Sequence, residues 1–189
     1  MTSKDRRKWN TRYCKKTTLP KVRPIIERFY HLAQKGSVLD LAAGLGSNAL
    51  FLAKKGFTVF AIDVSEVALS AQTPRHPNLL PICLDLDNWD IPPNHFDLIL
   101  NIRFLKRRLF PQIIEGLKPG GVLIAETYLA DDLGGYQKRS TSCRDYYLRS
   151  NELLHAFLRL HLIHYFEEID VKAGEKGPSA GLVGVKRPL

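Results

Sequence analysis

The chain has 189 residues, of which 44% are hydrophobic and 25% charged; this suits one globular domain and excludes a disordered or fibrous protein. No apolar run reaches the ~20 residues needed to cross a bilayer, and the basic N-terminus is not followed by the apolar stretch of a secretory signal. The net charge of +9 lies mostly in residues 1–28, which hold ten Lys or Arg and two acids. We therefore predict a basic N-terminal arm or helix at 1–28, a single domain at 29–189, and a cytoplasmic location without membrane association.

Short apolar runs alternate with amphipathic segments, a pattern typical of repeated βα units around a parallel sheet. Strands are predicted at 38–41, 58–62, 79–84, 96–102 and 122–126, and helices at 47–55, 65–72 and 111–117. A polar loop at 129–147 and a helix at 150–158 follow. The last two predicted strands, 162–170 and 182–186, are separated by a segment too short for a crossover helix, so they should form an antiparallel hairpin. The sequence thus predicts a Rossmann-like α/β fold, with a seven-stranded, mostly parallel sheet and helices on both faces.

Small residues and carboxylates follow the first three predicted strands, at the sheet edge where ligands bind in α/β folds. The first strand leads into residues 40–46 (Asp-Leu-Ala-Ala-Gly-Leu-Gly), where small side chains let the backbone approach a ligand. Asp63 ends the second strand and can accept both hydroxyls of a ribose, with Val64 beside it as apolar surface for an adenine ring. Asp85 ends the third strand and can accept from an exocyclic amine, with Leu86 packing on the ring.

A nicotinamide dinucleotide is the main alternative ligand, because Gly44, Gly46 and Ala49 fit the G-x-G-x-x-A spacing of dinucleotide-binding folds. That spacing serves a pyrophosphate, which Asp40, inside the preceding apolar strand, would repel. The ammonium group of a sulfonium amino acid would instead be attracted by the same carboxylate. Acids also lie at the ends of three successive strands at this edge, which argues against the alternative that they are ordinary surface aspartates. The residues therefore favour S-adenosylmethionine.

These motifs resemble those of class I S-adenosylmethionine-dependent methyltransferases. The motifs that carry the resemblance are residues 38–46, Asp63, Asp85 and the Leu-Lys-Pro-Gly-Gly-Val-Leu stretch at 117–123. The resemblance covers about residues 36 to 128. In addition, residues 9–13 (Trp-Asn-Thr-Arg-Tyr) and 44–50 are similar to the small tellurite-resistance-type methyltransferases.

The resemblance implies methyl transfer with S-adenosylmethionine as the cofactor, and we predict no metal site, since the three cysteines are separated. It assigns the parts of the cofactor to residues at one sheet edge: Asp40, Gly44 and Gly46 to the methionine part, Asp63 to the ribose, Asp85 and Leu86 to the adenine, and Asn101 and Ile102 to the sulfonium side. Ala42 stands where the family usually has the first glycine of the turn. An alanine fits there if its φ is negative.

The N-terminal segment is a second candidate part of the cofactor site. By the resemblance, Arg12 would lie near the carboxylate of the cofactor, and Tyr13 or Trp9 near its sulfonium, where a cation–π contact is favourable. The alternative is a basic arm with incidental aromatic residues, and both interpretations stay open from the sequence.

The sequence indicates the methyl acceptor less clearly than the cofactor. Arg103 follows the fourth strand, where acceptors bind in this fold, so we expect a small-molecule acceptor of anionic or electron-rich character. The alternative for Arg103 is a solvated helix start. Arg103 and Tyr128 are the candidates for catalysis. No general base stands out among His31, Tyr13 and Tyr128, and one is needed only if the acceptor must lose a proton.

Two other functions remain open. The basic arm would suit methylation of RNA or protein, although residues 101–104 (Asn-Ile-Arg-Phe) differ from the Asn/Asp-Pro-Pro-Tyr type of motif and the sequence indicates no appended RNA-binding module. Nucleic acid is therefore not excluded as a partner, but it is not favoured. The chain could also bind the cofactor without catalysis. Both a monomer and a homodimer are compatible with the sequence.

Overall fold

Seven strands form one sheet in the computed structural model, which describes residues 3–15, 18–72, 75–130, 146–168 and 177–187. The strands are β1 (Ser37–Leu41), β2 (Thr58–Asp63), β3 (Leu79–Cys83), β4 (Phe96–Ile102), β5 (Leu117–Tyr128), β6 (His161–Glu168) and β7 (Ser179–Val185). The helices are α1 (Ser3–Cys14), α2 (Pro24–Phe29), α3 (Ser47–Lys54), α4 (Glu66–Ser70), α5 (Leu109–Gly116) and α6 (Glu152–Ala156), with a short 3-10 helix at Tyr30–Leu32.

The pairing of the strands confirms the predicted fold class. The order across the sheet is β3-β2-β1-β4-β5-β7-β6. β1 is parallel to β2 and β4, β2 to β3, and β4 to β5. β7 is antiparallel to both β5 and β6, as expected of the terminal hairpin. Because strand order reverses at β1, the carboxyl ends of β1, β2 and β4 border the crevice where ligands bind in such sheets.

Several boundaries differ from the predicted ones. β5 begins at Leu117, which pairs with Phe96, whereas the predicted strand begins at 122; the Lys-Pro-Gly-Gly stretch therefore belongs to the strand. Within that stretch the Gly120 N–H donates to the Lys186 carbonyl at 2.7 Å, so the backbone still finds a partner at the sheet edge. α5 begins at Leu109, before the predicted start at 111, and α6 is shorter than the predicted 150–158.

Apolar side chains fill both faces of the sheet. The core around α2 and α3 contains Ile26 and Leu52, and the core around α5 and α6 contains Ile113 and Phe157, all of them fully buried. The central strands are therefore apolar on both sides, as in parallel sheets between two helical layers. A carboxylate inside such a strand, as at Asp40, is costly unless it has a partner.

The basic N-terminal segment contains a helix that packs on the body of the protein. α1 lies against α4, where the Ser65 hydroxyl donates to Asn10 Oδ1 at 2.7 Å and Asn10 Nδ2 donates to Glu66 Oε1 at 3.2 Å. These contacts place α1 beside the end of β2. None of the helices in the described ranges is long and apolar enough to span a membrane.

Residues 131–145, most of the loop predicted at 129–147, lie outside the described residues. Its two flanks meet at the carboxyl end of β5. Leu129 and Leu148 form an isolated parallel bridge, and the Ala130 N–H donates to the Leu148 carbonyl at 2.8 Å. The segment around Leu148 therefore lies beside the sheet edge that carries the candidate site.

Candidate functional site

The turn between β1 and α3 has an unusual backbone conformation. Ala42 and Gly44 both have φ of +55°, and Gly46 has φ of +75°. Ala42 therefore does not meet the condition of a negative φ under which an alanine fits the turn. The chain reverses there between a buried strand and the start of α3, and the Ala43 N–H bonds to the Ile62 carbonyl at 2.9 Å. A left-handed alanine costs roughly 1 kcal/mol, so the fold imposes local strain directly at the predicted ligand edge.

Asp40 is a buried acid near the carboxyl end of β1. The residue is 1% exposed, and its Oδ2 has no hydrogen-bond partner among the described residues. Burial, with the nearby Asp63 carboxylate as a second cause, raises the pKa of Asp40 to about 8. Without a cationic ligand the carboxyl therefore holds a proton at neutral pH. A cation placed beside it would stabilise the ionised form.

Asp63 joins the glycine turn to the start of α4. Its Oδ2 accepts from the Gly44 N–H and its Oδ1 from the Ser65 N–H, both at 2.8 Å. Burial raises the pKa of Asp63, while these backbone hydrogen bonds oppose the shift. Val64, next to it, is buried, and Ser65 caps α4 by accepting from the Ala68 N–H at 3.1 Å. The structure thus brings Asp40, Gly44 and Asp63 together.

The acid that follows β3 is held in a local turn. Asp85 accepts from the Asp87 N–H at 2.9 Å and from Asn88 Nδ2 at 3.3 Å. Leu86 is fully buried in the core that also contains Leu109, so its side chain faces the interior. The expectation that this side chain packs on an adenine ring is therefore not what the structure shows. An apolar side chain next to the core is stabilised more by burial than by exposure at a ligand edge.

Asn101 is buried at the carboxyl end of β4. It pairs in register with Leu41 of β1, and its Oδ1, like Asp40 Oδ2, lacks a hydrogen-bond partner among the described residues. By the strand register Asp40 lies on the sheet face of Leu100, and Asn101 lies on the opposite face with Leu41. A buried carboxylate oxygen without a partner, as at Asp40, is an acceptor that the ammonium end of S-adenosylmethionine would satisfy. No group of three or more potential metal ligands occurs among the described residues.

The end of α1 reaches the glycine turn. A Cβ added at Gly44 would lie 2.6 Å from the Tyr13 hydroxyl oxygen. Burial, and then the Asp63 carboxylate, raise the pKa of Tyr13 to about 12, so the phenol stays protonated. Arg12 lies on the outer side, exposed, with its guanidinium 5.0 Å from the Trp9 ring centroid. The structure thus brings Tyr13 to the turn, whereas Arg12 stacks on Trp9.

A second cluster lies at the carboxyl ends of β4 and β5. Arg103 has φ of +58°, its N–H donates to the Glu126 carbonyl at 2.6 Å, and its guanidinium lies 4.1 Å from the Tyr128 ring centroid. The buried Glu126 carboxylate is 3.6 Å from Arg103 Nε and forms a two-pronged ion pair with Arg23, in which Nε donates to Oε2 at 3.3 Å. Arg23 also donates its N–H to Asn48 Oδ1 at 3.2 Å.

Arg23 and Glu126 are candidate site residues that the sequence did not indicate. An acid at the end of the apolar strand β5 was a signal comparable to Asp40, but nothing in the sequence links Glu126 to Arg23, 103 residues away. The basic residues after Arg103 are paired as well, with Lys106 on Asp87 at 2.7 Å and Arg108 on Asp90 at 3.0 Å. Those pairs neutralise the acidic segment that follows Asp85.

The central part of the chain is similar to a known family. Residues 38–121 match the model of the methyltransferase domain. This part of the chain is similar to methyltransferase domains. Over 109 residues the chain is 33% identical to YqeM of Bacillus subtilis, which is provisionally named a methyltransferase; the match covers 51% of this chain and 44% of YqeM. The chain thus spans less than half the length of that relative.

Solved structures agree with the family. TehB from Haemophilus influenzae superposes with a TM-score of 0.77 and 18% identity, covering 95% of this chain and 67% of TehB. A SAM-dependent methyltransferase from Methanosarcina mazei superposes with a TM-score of 0.67 and 18% identity, covering 89% of this chain and 99% of the other. At such identity the likeness shows the fold of the domain. The match at residues 38–121 agrees with the predicted resemblance to methyltransferases.

Proposed function

We propose that the chain transfers a methyl group from S-adenosylmethionine to a small-molecule acceptor of anionic or electron-rich character. The observation that carries the cofactor assignment is the buried carboxylate oxygen without a partner, Asp40 Oδ2, beside a glycine turn at the carboxyl edge of the sheet. When bound, the cofactor supplies an electrophilic methyl group on a sulfonium, so the protein needs mainly to position the reactants and exclude water.

The cofactor would be bound by residues of β1, β2 and β4 together with α1. Asp40 would pair with its ammonium group, Asp63 would accept from the ribose hydroxyls, and Asp85 would accept from the adenine amine. The buried phenol of Tyr13 would cover the methionine part from the side of α1, which supports a role of that helix in excluding water. Arg12, stacked on Trp9, would have to turn inward to reach the cofactor carboxylate.

The acceptor would bind at the second cluster, beyond the sulfonium. There the Arg23 and Arg103 guanidinium groups both contact the Glu126 carboxylate. Tyr128 supports Arg103 through the face of its ring, an arrangement that stabilises a cation. An acceptor with a carboxylate, phosphate or electron-rich thiolate group would be attracted by these guanidinium groups. A cytoplasmic location and a monomeric or homodimeric state stay predictions.

Ligand-induced stabilisation tests the cofactor assignment. We expect S-adenosylmethionine and S-adenosylhomocysteine to raise the melting temperature, and a ligand at a hundred times its Kd adds about 2.7 kcal/mol of stability. NAD is the matched control and should give no shift. Stabilisation by NAD and not by the two methyl-cofactor ligands would refute the proposal.

Acceptor class is tested separately with S-adenosylmethionine that carries an isotopic label on its methyl group. We expect transfer to a member of a set of small carboxylates, phosphate esters and thiols, and no transfer to RNA or protein. Transfer to RNA alone would favour the alternative substrate class. Cofactor binding with no transfer to any acceptor would favour a non-catalytic binding protein.

A further inference from the structure

Gln72, which belongs to none of the sequence motifs, lies against both glycines of the turn. It follows α4 by two residues and is 5% exposed. Its Nε2 donates to the Gly44 carbonyl at 3.0 Å. A Cβ added at Gly46 would lie 2.6 Å from the Gln72 carboxamide carbon, so the carboxamide packs on the backbone of both glycines.

Both polar groups of the Gly44 backbone are bound by side chains from outside the turn. Asp63 accepts from the Gly44 N–H at 2.8 Å, and Gln72 donates to the Gly44 carbonyl. The turn needs such support because Ala42, Gly44 and Gly46 all have positive φ, which no regular helix or strand pattern stabilises. Two side chains, one at the end of β2 and one after α4, therefore fix the orientation of this peptide.

The oxygen of the Gln72 carboxamide indicates that this side chain does more than fill space. Gln72 Oε1 is buried and has no hydrogen-bond partner among the described residues. A buried acceptor without a partner lowers stability, whereas an apolar side chain of similar length would fill the same space without that penalty. The amide is therefore retained at a cost to stability, and the interaction that its N–H forms is the one with the glycine turn.

We propose that Gln72 is a positioning residue of the cofactor site, which fixes the Gly44 carbonyl opposite Asp63 and so presets the turn for the methionine part of S-adenosylmethionine. The inference rests on the proposed function. Gln72 acts through the backbone of the turn, so its effect concerns the amino-acid end of the ligand. The nucleoside end, assigned to Asp63 and Asp85, should depend on Gln72 much less.

Calorimetric titration of two ligands separates positioning from general support of the fold. S-adenosylhomocysteine carries the amino-acid part, and adenosine lacks it. In Gln72→Met we expect the affinity for S-adenosylhomocysteine to fall about tenfold, the equivalent of one hydrogen bond, and the affinity for adenosine to change less than about twofold. In Gln72→Glu the loss should be larger, because a carboxylate would face the Gly44 carbonyl and Asp63.

Gln112→Met is the matched control. Gln112 also bonds through both ends of its carboxamide, donating to Asp90 at 2.8 Å and accepting from the Ile91 N–H at 3.0 Å, but it lies on α5 away from the turn. We expect its affinity for both ligands to equal that of the parent chain. The melting temperature of Gln72→Met should change little, because the loss of the hydrogen bond to the Gly44 carbonyl and the removal of the buried oxygen without a partner act in opposite directions.

Four results would count against the positioning role of Gln72 or against the proposed function. Equal losses for S-adenosylhomocysteine and adenosine in Gln72→Met, or no loss for either, would overturn the positioning role. Failure of both Gln72 variants to fold would also overturn it, because it would show that the side chain supports the fold. If the parent chain binds neither ligand, the proposed function itself fails, and this outcome is distinct because it does not depend on Gln72.

Discussion

Replacing Asp40 by Asn should make the ligand-free protein more stable, and increasingly so as the pH rises. The Asp40 carboxyl has a pKa of about 8 in the folded chain because it is buried, compared with about 3.9 in an unfolded chain. Between these values the folded state binds more protons than the unfolded state. A raised acid pKa therefore lowers stability as the pH rises from about 4 to about 8.

The size of the effect follows from the pKa difference. One pKa unit corresponds to about 1.36 kcal/mol. Between pH 4 and pH 7 Asp40 is ionised in the unfolded chain and protonated in the folded chain, so the free energy of unfolding falls by about 4 kcal/mol over this range. Asn keeps the shape of Asp40 and has no proton to lose. We expect the difference in unfolding free energy between Asp40→Asn and the parent chain to grow by about 1.4 kcal/mol per pH unit between pH 5 and pH 7.5.

Urea unfolding at a series of pH values measures this slope, and Asp97→Asn is a control of opposite sign. The pKa of Asp97 is lowered by its hydrogen bonds with Lys118 and Ser37, which outweigh the cost of its burial. Its contribution to stability is therefore present at neutral pH and lost as the pH falls through the folded pKa. Parallel stability curves for Asp40→Asn and the parent chain would show that Asp40 is ionised without ligand, which would refute the reasoning. Asp40→Asn should also bind S-adenosylhomocysteine about tenfold or more weakly.

Three further predictions concern the turn and the second cluster. Gly44→Ala should weaken S-adenosylhomocysteine binding at least about tenfold in calorimetry, because the new methyl group meets Tyr13 at 2.6 Å and φ is +55°; unchanged affinity would contradict the geometry. Ala42→Gly should leave the free energy of unfolding equal or raise it by up to about 1 kcal/mol, since relief of left-handed strain opposes the entropy of glycine; a clear loss in urea unfolding would contradict the strain. Glu126→Gln should lower the free energy of unfolding by about 2 kcal/mol, because Arg23 and Arg103 lose a buried charged partner. Glu27 is exposed, so Glu27→Gln should change the free energy of unfolding little. Equal effects of the two substitutions would contradict the role given to Glu126.

The sequence by itself determined the class of fold and the cofactor. Apolar runs of strand length at regular spacing predict the parallel sheet, because a strand buried on both faces needs a continuous apolar run. Acids at Asp40, Asp63 and Asp85 predict the ligand edge, because the carboxyl ends of parallel strands meet there. These signals are local in the chain, and the resemblance at 36–128 depends on the same local motifs.

The tertiary structure alone decided which distant groups meet. Three contacts join residues that are far apart in the chain: the ion pair between Arg23 and Glu126, the contact of Tyr13 with Gly44, and the hydrogen bond from Gln72 to the Gly44 carbonyl. No local sequence pattern encodes such pairs. The positive φ of Ala42 likewise follows from the need to turn between a buried strand and α3. The local sequence thus predicts the cofactor, whereas long-range packing brings together the charged residues of the cluster at the carboxyl ends of β4 and β5.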